Sequence, residues 1–251
     1  MERITSRKNP LLQHVKKLLS SRTYREETGE YSGDGLKLLE EAIRWNAELT
    51  AVIVTEDITL PKLPESVRTV IVPEDVMASV SSMESPQGAL FACKMPRETS
   101  DLPDDVFLVL DGVQDPGNVG TILRTADAMD IPVVLSDGCA DLYNPKTVRA
   151  SMGAVFRSKT VCTDRLSIID ACKQKHIPIT VTALTDSAAD IREVKLRGAV
   201  VIGSEGHGVS KQFLEAADRS IIIPMSPRCE SLNAAVAASI VAWELRRQRS
   251  V

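Results

Sequence analysis

Along this chain, short apolar runs alternate with longer segments of helical period. After residue 105, continuous apolar stretches fall at Val106 to Leu110, Ile131 to Leu135, Ile177 to Val181, Ala199 to Gly203 and Ile221 to Ile223. Each is too short for a helix. A run that does not alternate with polar residues is the pattern of a strand covered on both faces, so a mainly parallel sheet is predicted. The helices predicted to cover both faces are Val119 to Met129, Leu166 to Lys175, Val209 to Ala217 and Ser231 to Arg247. The last is apolar almost all round, with Val236, Ile240 and Trp243 on one stripe and Ala235, Ala238 and Ala242 on another. Such a helix is expected to be buried, by the sheet or by a second subunit.

The first hundred residues repeat the scheme on a smaller scale. Helices are predicted at Pro10 to Leu19, Leu36 to Trp45 and Asp75 to Val80, and strands at Ala51 to Thr55, Thr69 to Val72 and Ala89 to Cys93. The stretch Lys94 to Asp105 is rich in proline and charge and has no period. The fold class is therefore α/β, with a small domain over 1–97, a linker over 98–105 and a larger domain over 106–251.

Composition changes this picture little. Of 251 residues, 43% are hydrophobic and 4% aromatic, enough for two modest cores built mainly from Ala, Val, Ile and Leu. With no apolar run long enough to span a bilayer and no leader pattern, the expectation is a soluble protein without a membrane partner. The five cysteines are scattered and form no C-x-x-C pair, which fits a reducing cytoplasm and no metal. A net charge of −4 is unlike a nucleic-acid binder, but charge is unevenly placed. Arg3, Arg7, Lys8, Lys16, Lys17, Arg22 and Arg25 face a single acid, Glu2, in the first 25 residues.

Ligands of parallel sheets sit beyond the carboxyl ends of the strands, and three such loops are conspicuously polar. In the first, Asp111 to Gly120, two glycines permit close backbone approach, and Asn118 reads either as a helix cap or as a paired donor and acceptor, with Arg124 further along the helix. In the second, Gly203-Ser-Glu-Gly-His-Gly208, the glycine order differs from the dinucleotide fingerprint, which excludes NAD. Glu205 there serves the turn no better than Asn or Asp would, and reads either as an acceptor for backbone N–H groups or as a functional carboxylate. In the third, Ile221 to Asn233, Ser231 stands where an N-cap is expected and Asn233 in the first turn.

Taken together, Asp115-Pro-Gly-Asn-Val-Gly-x-x-x-Arg-Thr-Ala126, Gly203-x-Glu-Gly-x-Gly208 and Ile223-Pro-Met-x(5)-Ser-Leu-Asn-x-x-x-Ala237, in this order and each after a strand, resemble the SpoU family of RNA ribose 2′-O-methyltransferases within the SPOUT class. The first hundred residues, through Gly35-Leu-Lys-Leu-Leu-Glu-Glu-Ala42 after Asp34, more loosely resemble the L30e-like substrate-binding domain of its ribosomal RNA members. The resemblance implies a C-terminal trefoil knot, a homodimer, S-adenosylmethionine as cofactor and RNA, above all ribosomal RNA, as substrate, with transfer RNA or a non-catalytic RNA-binding role as alternatives. It carries catalytic roles to Asn118, Arg124, Glu205, Ser231 and Asn233, and cofactor contacts to Gly203, Ile223, Met225 and Leu232. A guanidinium stays protonated, so Arg124 is expected to hold phosphate and stabilise a developing alkoxide, not to act as a base. Arg7, Lys8, Lys16 and Lys17 become candidate phosphate contacts, while His207, Cys229, Arg228 and Lys146 carry weaker claims.

Overall fold

The computed structural model describes residues 1–61, 63–97, 101–185 and 187–249. The elements run β1 (Glu2–Arg3), α1 (Pro10–Ser20), α2 (Arg22–Thr28), β2 (Glu30–Asp34), α3 (Leu36–Arg44), β3 (Leu49–Val54), β4 (Arg68–Ile71), α4 (Glu74–Val80) and β5 (Ala89–Lys94). They continue with β6 (Phe107–Asp111), α5 (Pro116–Ala128), β7 (Val133–Leu135), α6 (Pro145–Ala150), α7 (Ala154–Arg157), β8 (Thr160–Cys162), α8 (Arg165–Gln174), β9 (Ile179–Thr182) and β10 (Ala189–Asp190). Last come β11 (Ala199–Gly203), α9 (Lys211–Ala216), β12 (Arg219–Ile222) and α10 (Ala234–Arg249). The chain divides into two compact units, Met1–Arg97 with Tyr143–Phe156, and Glu98–Leu142 with Arg157–Val251.

In the first unit the strand order is β1-β4-β3-β5-β2, parallel from β1 to β3 and antiparallel from β3 to β2. Helix α1 starts where Pro10 follows Asn9, whose side chain accepts from Leu11 N. Its Leu12, Val15 and Leu18 recur at helical spacing and pack with Met77 of α4 on Ile53, Val70 and Leu90. Strand β2, Glu-Tyr-Ser-Gly-Asp, escapes an apolar-run reading because it has none, yet all but its first residue is buried. Gly33 is required there by the neighbouring strand: a Cβ would lie 2.2 Å from the Phe91 ring.

Two expected boundaries shift. The domain read over 106–251 does not hold together as one unit, because Tyr143–Phe156, which lies in sequence between β7 and β8, belongs to the first. The Tyr143 ring lies tilted against Tyr31 at 4.5 Å between ring centroids, and Phe156 lies 6.3 Å from Tyr31 and 6.1 Å from Phe91. Of the stretch read as a linker, 98–100 lie outside the described residues, whereas Leu102 is buried in the second unit's core. Lys175 Nζ fixes it there, donating to Leu102 O and to Asp104 Oδ1 at 3.2 and 2.8 Å.

The second unit holds a parallel sheet, with order β10-β12-β9-β11-β6-β7-β8 among the described residues. Every residue of β6 is buried, which explains its unbroken apolar run. One face packs under Ile168 of α8 and Phe213 of α9, and α10 lies on α5 and β11. Parallel pairing gathers the carboxyl ends of β6, β9, β11 and β12 on one edge of the sheet, so the loops that follow them meet there.

Candidate active site

Helix geometry aims the first two polar groups. Asp115 caps α5, its Oδ1 accepting from Asn118 N at 2.8 Å with Pro116 in the first helical position. The cap role expected for Asn118 therefore falls to Asp115, whose side chain precedes the helix and reaches the amide three residues on, leaving the Asn118 side chain free. At the third loop the helix begins at Ala234, later than expected, and Asn233 is its cap in place of Ser231. Asn233 Oδ1 accepts from Ala235 N at 2.9 Å and from Val236 N at 3.3 Å. This role accounts for a residue of low helix propensity at that position.

These amides join the three loops into one hydrogen-bonded chain. Asn233 Nδ2 donates to Asn118 Oδ1 at 3.1 Å, and Asn118 Nδ2 donates to Glu205 Oε1 at 2.7 Å. The direction is fixed at both ends, since an ionised carboxylate only accepts and a helix N-terminal amide only donates, so neither asparagine can flip without facing like against like. Burial opposes ionisation of Glu205. The Asn118 side chain and the backbone N–H groups of Glu205, Gln114 and Asp115 outweigh it and hold the carboxyl below its ordinary range.

Glu205 rides on a turn closed by Ser204 N to Gly208 O at 2.9 Å and Gly208 N to Ser204 O at 3.0 Å. Gly208 has φ 67°, and a Cβ on Gly203 would lie 2.2 Å from the Gly208 carbonyl carbon, so the glycine pattern of this loop answers to its backbone. Beneath the loops the buried Asp111 carboxylate ties their bases together. It accepts from Arg165 Nε at 2.5 Å and from Ser210 N at 2.6 Å, and Arg165 also pairs with Asp137. Asp111 thus connects the end of β6 to the starts of α8 and α9.

Next to this chain of groups lies a cavity of about 420 Å³, within the range of small-molecule sites. Gly203, Ile223, Met225, Leu232, Ser231 and Glu205 all line it. So do Thr182 to Thr185, which the sequence reading missed. Their signal was available: Thr-Ala-Leu-Thr directly follows a parallel strand at the edge where ligands bind, but it carries no glycine or proline to draw attention. His207 is exposed and also lines the cavity.

Arg124 stands apart. It is exposed on α5, lines no described cavity, and has no hydrogen-bond or ion-pair partner among the described residues. Cys229 is exposed, and Arg228 Nε bonds Ser226 Oγ in its own loop at 3.2 Å. The N-terminal cations differ from expectation. Arg7 pairs with Asp75 at 2.7 Å, Lys16 Nζ donates to Ser79 O at 3.0 Å, and Lys17 Nζ lies 5.2 Å from the Tyr24 ring centre. Of the four, only the Lys8 side chain is without a partner among the described residues, while Arg7 and Lys16 reach the acid and a carbonyl of α4.

Comparison with known proteins agrees in both halves of the chain. Residues 105–243 match the model of the SpoU rRNA methylase family, and residues 9–91 match that of an MRM3-like substrate binding domain. The chain is 35% identical to the 23S rRNA (guanosine(2553)-2′-O)-methyltransferase RlmP of Bacillus subtilis, over 98% of this chain and 100% of that one. A solved RNA 2′-O ribose methyltransferase superposes with TM-score 0.83 at 32% identity, covering 99% of this chain and 100% of that one. An AdoMet-bound rRNA methyltransferase from Sinorhizobium meliloti gives 0.87 at 26% identity, covering 98% and 97%.

Proposed function

The chain belongs to the SpoU rRNA methylase family, and from that premise we propose how its three polar loops methylate RNA. It is an S-adenosylmethionine-dependent RNA ribose 2′-O-methyltransferase acting on ribosomal RNA. The observation that carries the proposed site is the hydrogen-bonded chain from Glu205, which lines the cavity, through Asn118 to Asn233, which line the groove on α5 and α10.

The residues present fit the cofactor. The cavity is of small-molecule size, and Ile223, Met225 and Leu232 give it apolar walls while Gly203 brings bare backbone to its edge. Gly203, Ile223, Met225 and Leu232 hold the cofactor in this reading, and Thr182 to Thr185 line the same cavity. When bound, S-adenosylmethionine supplies a methyl group on a positively charged sulfur, activated for transfer to oxygen.

The chain's own part is alignment and charge. Asn118 and Asn233 are pre-oriented by Glu205 and by the start of α10, so they meet the ribose without rearranging. Ser231 offers a further hydroxyl at the cavity wall. Arg124, still protonated, holds a substrate phosphate and stabilises the negative charge that builds on the 2′-oxygen as the hydroxyl proton leaves to phosphate or water. Glu205, held ionised and hydrogen-bonded, acts by fixing Asn118.

The finer architecture belongs to the same proposal. Residues 1–97, which form one unit with Tyr143–Phe156, are an L30e-like RNA-binding domain, and the polypeptide around β12 and α10 is threaded as a trefoil knot. The support is a strand order that carries β12 outside β9 while α10 returns to α5 and β11. The protein is a cytoplasmic homodimer: five free cysteines suit a reducing compartment, and Val236 and Trp243 of α10 are 48% and 60% exposed beside a groove shared with Asn118 and Asn233. No helix among the described residues is long and apolar enough to cross a membrane.

The test is incubation of the protein with ribosomal RNA, and separately with transfer RNA, plus labelled S-adenosylmethionine. Ribose methylation of ribosomal RNA, abolished in Arg124→Ala, is expected. Labelled transfer RNA alone, or no label in either pool from folded protein, would refute the reading. Sedimentation should give a dimer, and Trp243→Glu a monomer.

A further inference from the structure

The cations best placed to hold RNA in the first unit are not those that dominate the sequence. Most of the basic N-terminal segment spends its charge within the fold, through Arg7 on Asp75, Lys16 on a carbonyl of α4 and Lys17 on the Tyr24 ring, with Lys8 the exception. A phosphate would have to displace these partners to use them. Helix α6 is the opposite case. It contains no acidic residue, and its Lys146 and Arg149 are exposed with no side-chain partner among the described residues.

Packing fixes this face outward. Thr147 and Val148 are buried, and the helix packs on β2. The segment is clamped at both ends by rings, Tyr143 against Tyr31 and Phe156 against Tyr31 and Phe91. Asn144 caps it, Oδ1 accepting from Lys146 N at 2.9 Å. Lys146 and Arg149 stand one turn apart, so their stems are about 5–6 Å from each other on one side of the helix. Met152, two residues past the end of the helix, is 45% accessible and held at φ 48°, a conformation non-glycine residues seldom adopt, so an exposed apolar side chain follows the two charges in sequence. The crossover that must join β7 to its parallel neighbour β8 carries this segment, which belongs to the first unit.

We propose that the face of α6 formed by Lys146 and Arg149, with Met152 just beyond the helix, is a docking surface for the phosphate backbone of the RNA substrate. The inference rests on the RNA methyltransferase reading above and names the part of the first unit that grips the RNA. Charge complementarity selects the occupant: two unneutralised cations on a rigid helix of a protein with net charge −4 fit a polyanion.

The experiment compares Lys146→Glu/Arg149→Glu, Lys146→Gln/Arg149→Gln and Arg7→Glu/Lys16→Glu with wild type, using a 23S ribosomal RNA transcript at several salt concentrations. Both α6 variants should bind RNA at least tenfold more weakly. In the glutamine variant the slope of log affinity against log salt should flatten by about 1.4 to 1.8, two phosphate contacts' worth. Affinity for S-adenosylmethionine and the melting temperature should stay as in wild type, and turnover at saturating RNA should change less than about twofold. RNA binding by the α6 variants equal to wild type, or a larger loss from the Arg7/Lys16 variant, would overturn the proposal while leaving the methyltransferase reading intact. Wild-type protein that binds S-adenosylmethionine but neither binds nor methylates the transcript would overturn both.

Discussion

Asn118 and Arg124 lie on the same helix, about 1.7 turns apart, and the fold treats them in opposite ways. Asn118 is fixed by three groups of its own chain, Asp115 on its backbone N–H, Glu205 on its Nδ2 and Asn233 on its Oδ1, and the start of α10 holds Asn233 in turn. Arg124 projects from α5 with nothing to hold it among the described residues. A neutral amide exerts a useful field only if its dipole already points the right way, so its orientation has to be set before substrate arrives. A guanidinium is charged in every orientation and gains most from a partner that comes from outside the chain.

The contrast predicts a wide separation between activity and stability at Arg124. Arg124→Ala should lower kcat/KM by about 10²–10³-fold or more while leaving the unfolding free energy within about 0.5 kcal/mol, as for an exposed residue without partners. Arg124→Lys should not restore the rate, because a point charge cannot make the forked contact. Steady-state kinetics alongside denaturant unfolding decides it, and a large stability loss would mean that Arg124 is structural.

At Asn233 the two roles can be pulled apart. Asn233→Ala removes the cap and should cost about 1 kcal/mol of stability together with about 10²-fold in rate. Asn233→Asp keeps an acceptor for Ala235 and Val236 but places carboxylate oxygen against Asn118 Oδ1, and no flip satisfies Asn118 while Glu205 is ionised. That variant should fold with near wild-type stability and still lose most activity. Equal loss of both properties in the two variants would break the distinction.

A smaller effect is expected from pH. The folded-state pKa of Glu205 lies below its unfolded value, so in the acid range the unfolded chain binds more protons at this site. Its contribution is complete above the ordinary carboxylate range and is lost as pH falls through the lower folded value. Melting temperature measured from pH 7 to pH 3 should therefore fall less steeply below about pH 4.5 in Glu205→Gln than in wild type. A steeper fall in the variant would contradict the assignment.

The smallest comparison concerns the caps. Asp115→Ala should destabilise by about 1 kcal/mol, and Ser231→Ala, at the position where a cap was expected and none exists, by less than about 0.5 kcal/mol. Reversal of that order in chemical denaturation would restore Ser231 as the cap.

Much of the architecture was legible beforehand because burial on both faces leaves a mark that no surface feature imitates. Phe107–Asp111 and Ala199–Gly203 are unbroken apolar runs up to their ends, and each fell within a residue or so of its predicted bounds. Strand β2 was not legible, since Tyr31, Ser32, Gly33 and Asp34 are buried by what lies on them and not by their own polarity. The same holds for α6, whose few residues carry no period long enough to read. At the site, residue types and loop order singled out Asn118, Glu205 and Asn233. Their chemistry as donors and acceptors is written in their side chains.

What the sequence by itself determined, then, is the set of groups and the strands that present them. Tertiary structure alone decided which of those groups hold one another. Capping depends on where a helix starts to within one residue, and that choice passed from Asn118 to Asp115 and from Ser231 to Asn233. It also decided which cations remain unpaired, because neutralisation of Arg7 by Asp75 spans 68 residues of sequence. Hydrogen bonds and ion pairs act over about 3 Å, and only folding brings residues so far apart in the chain within that reach.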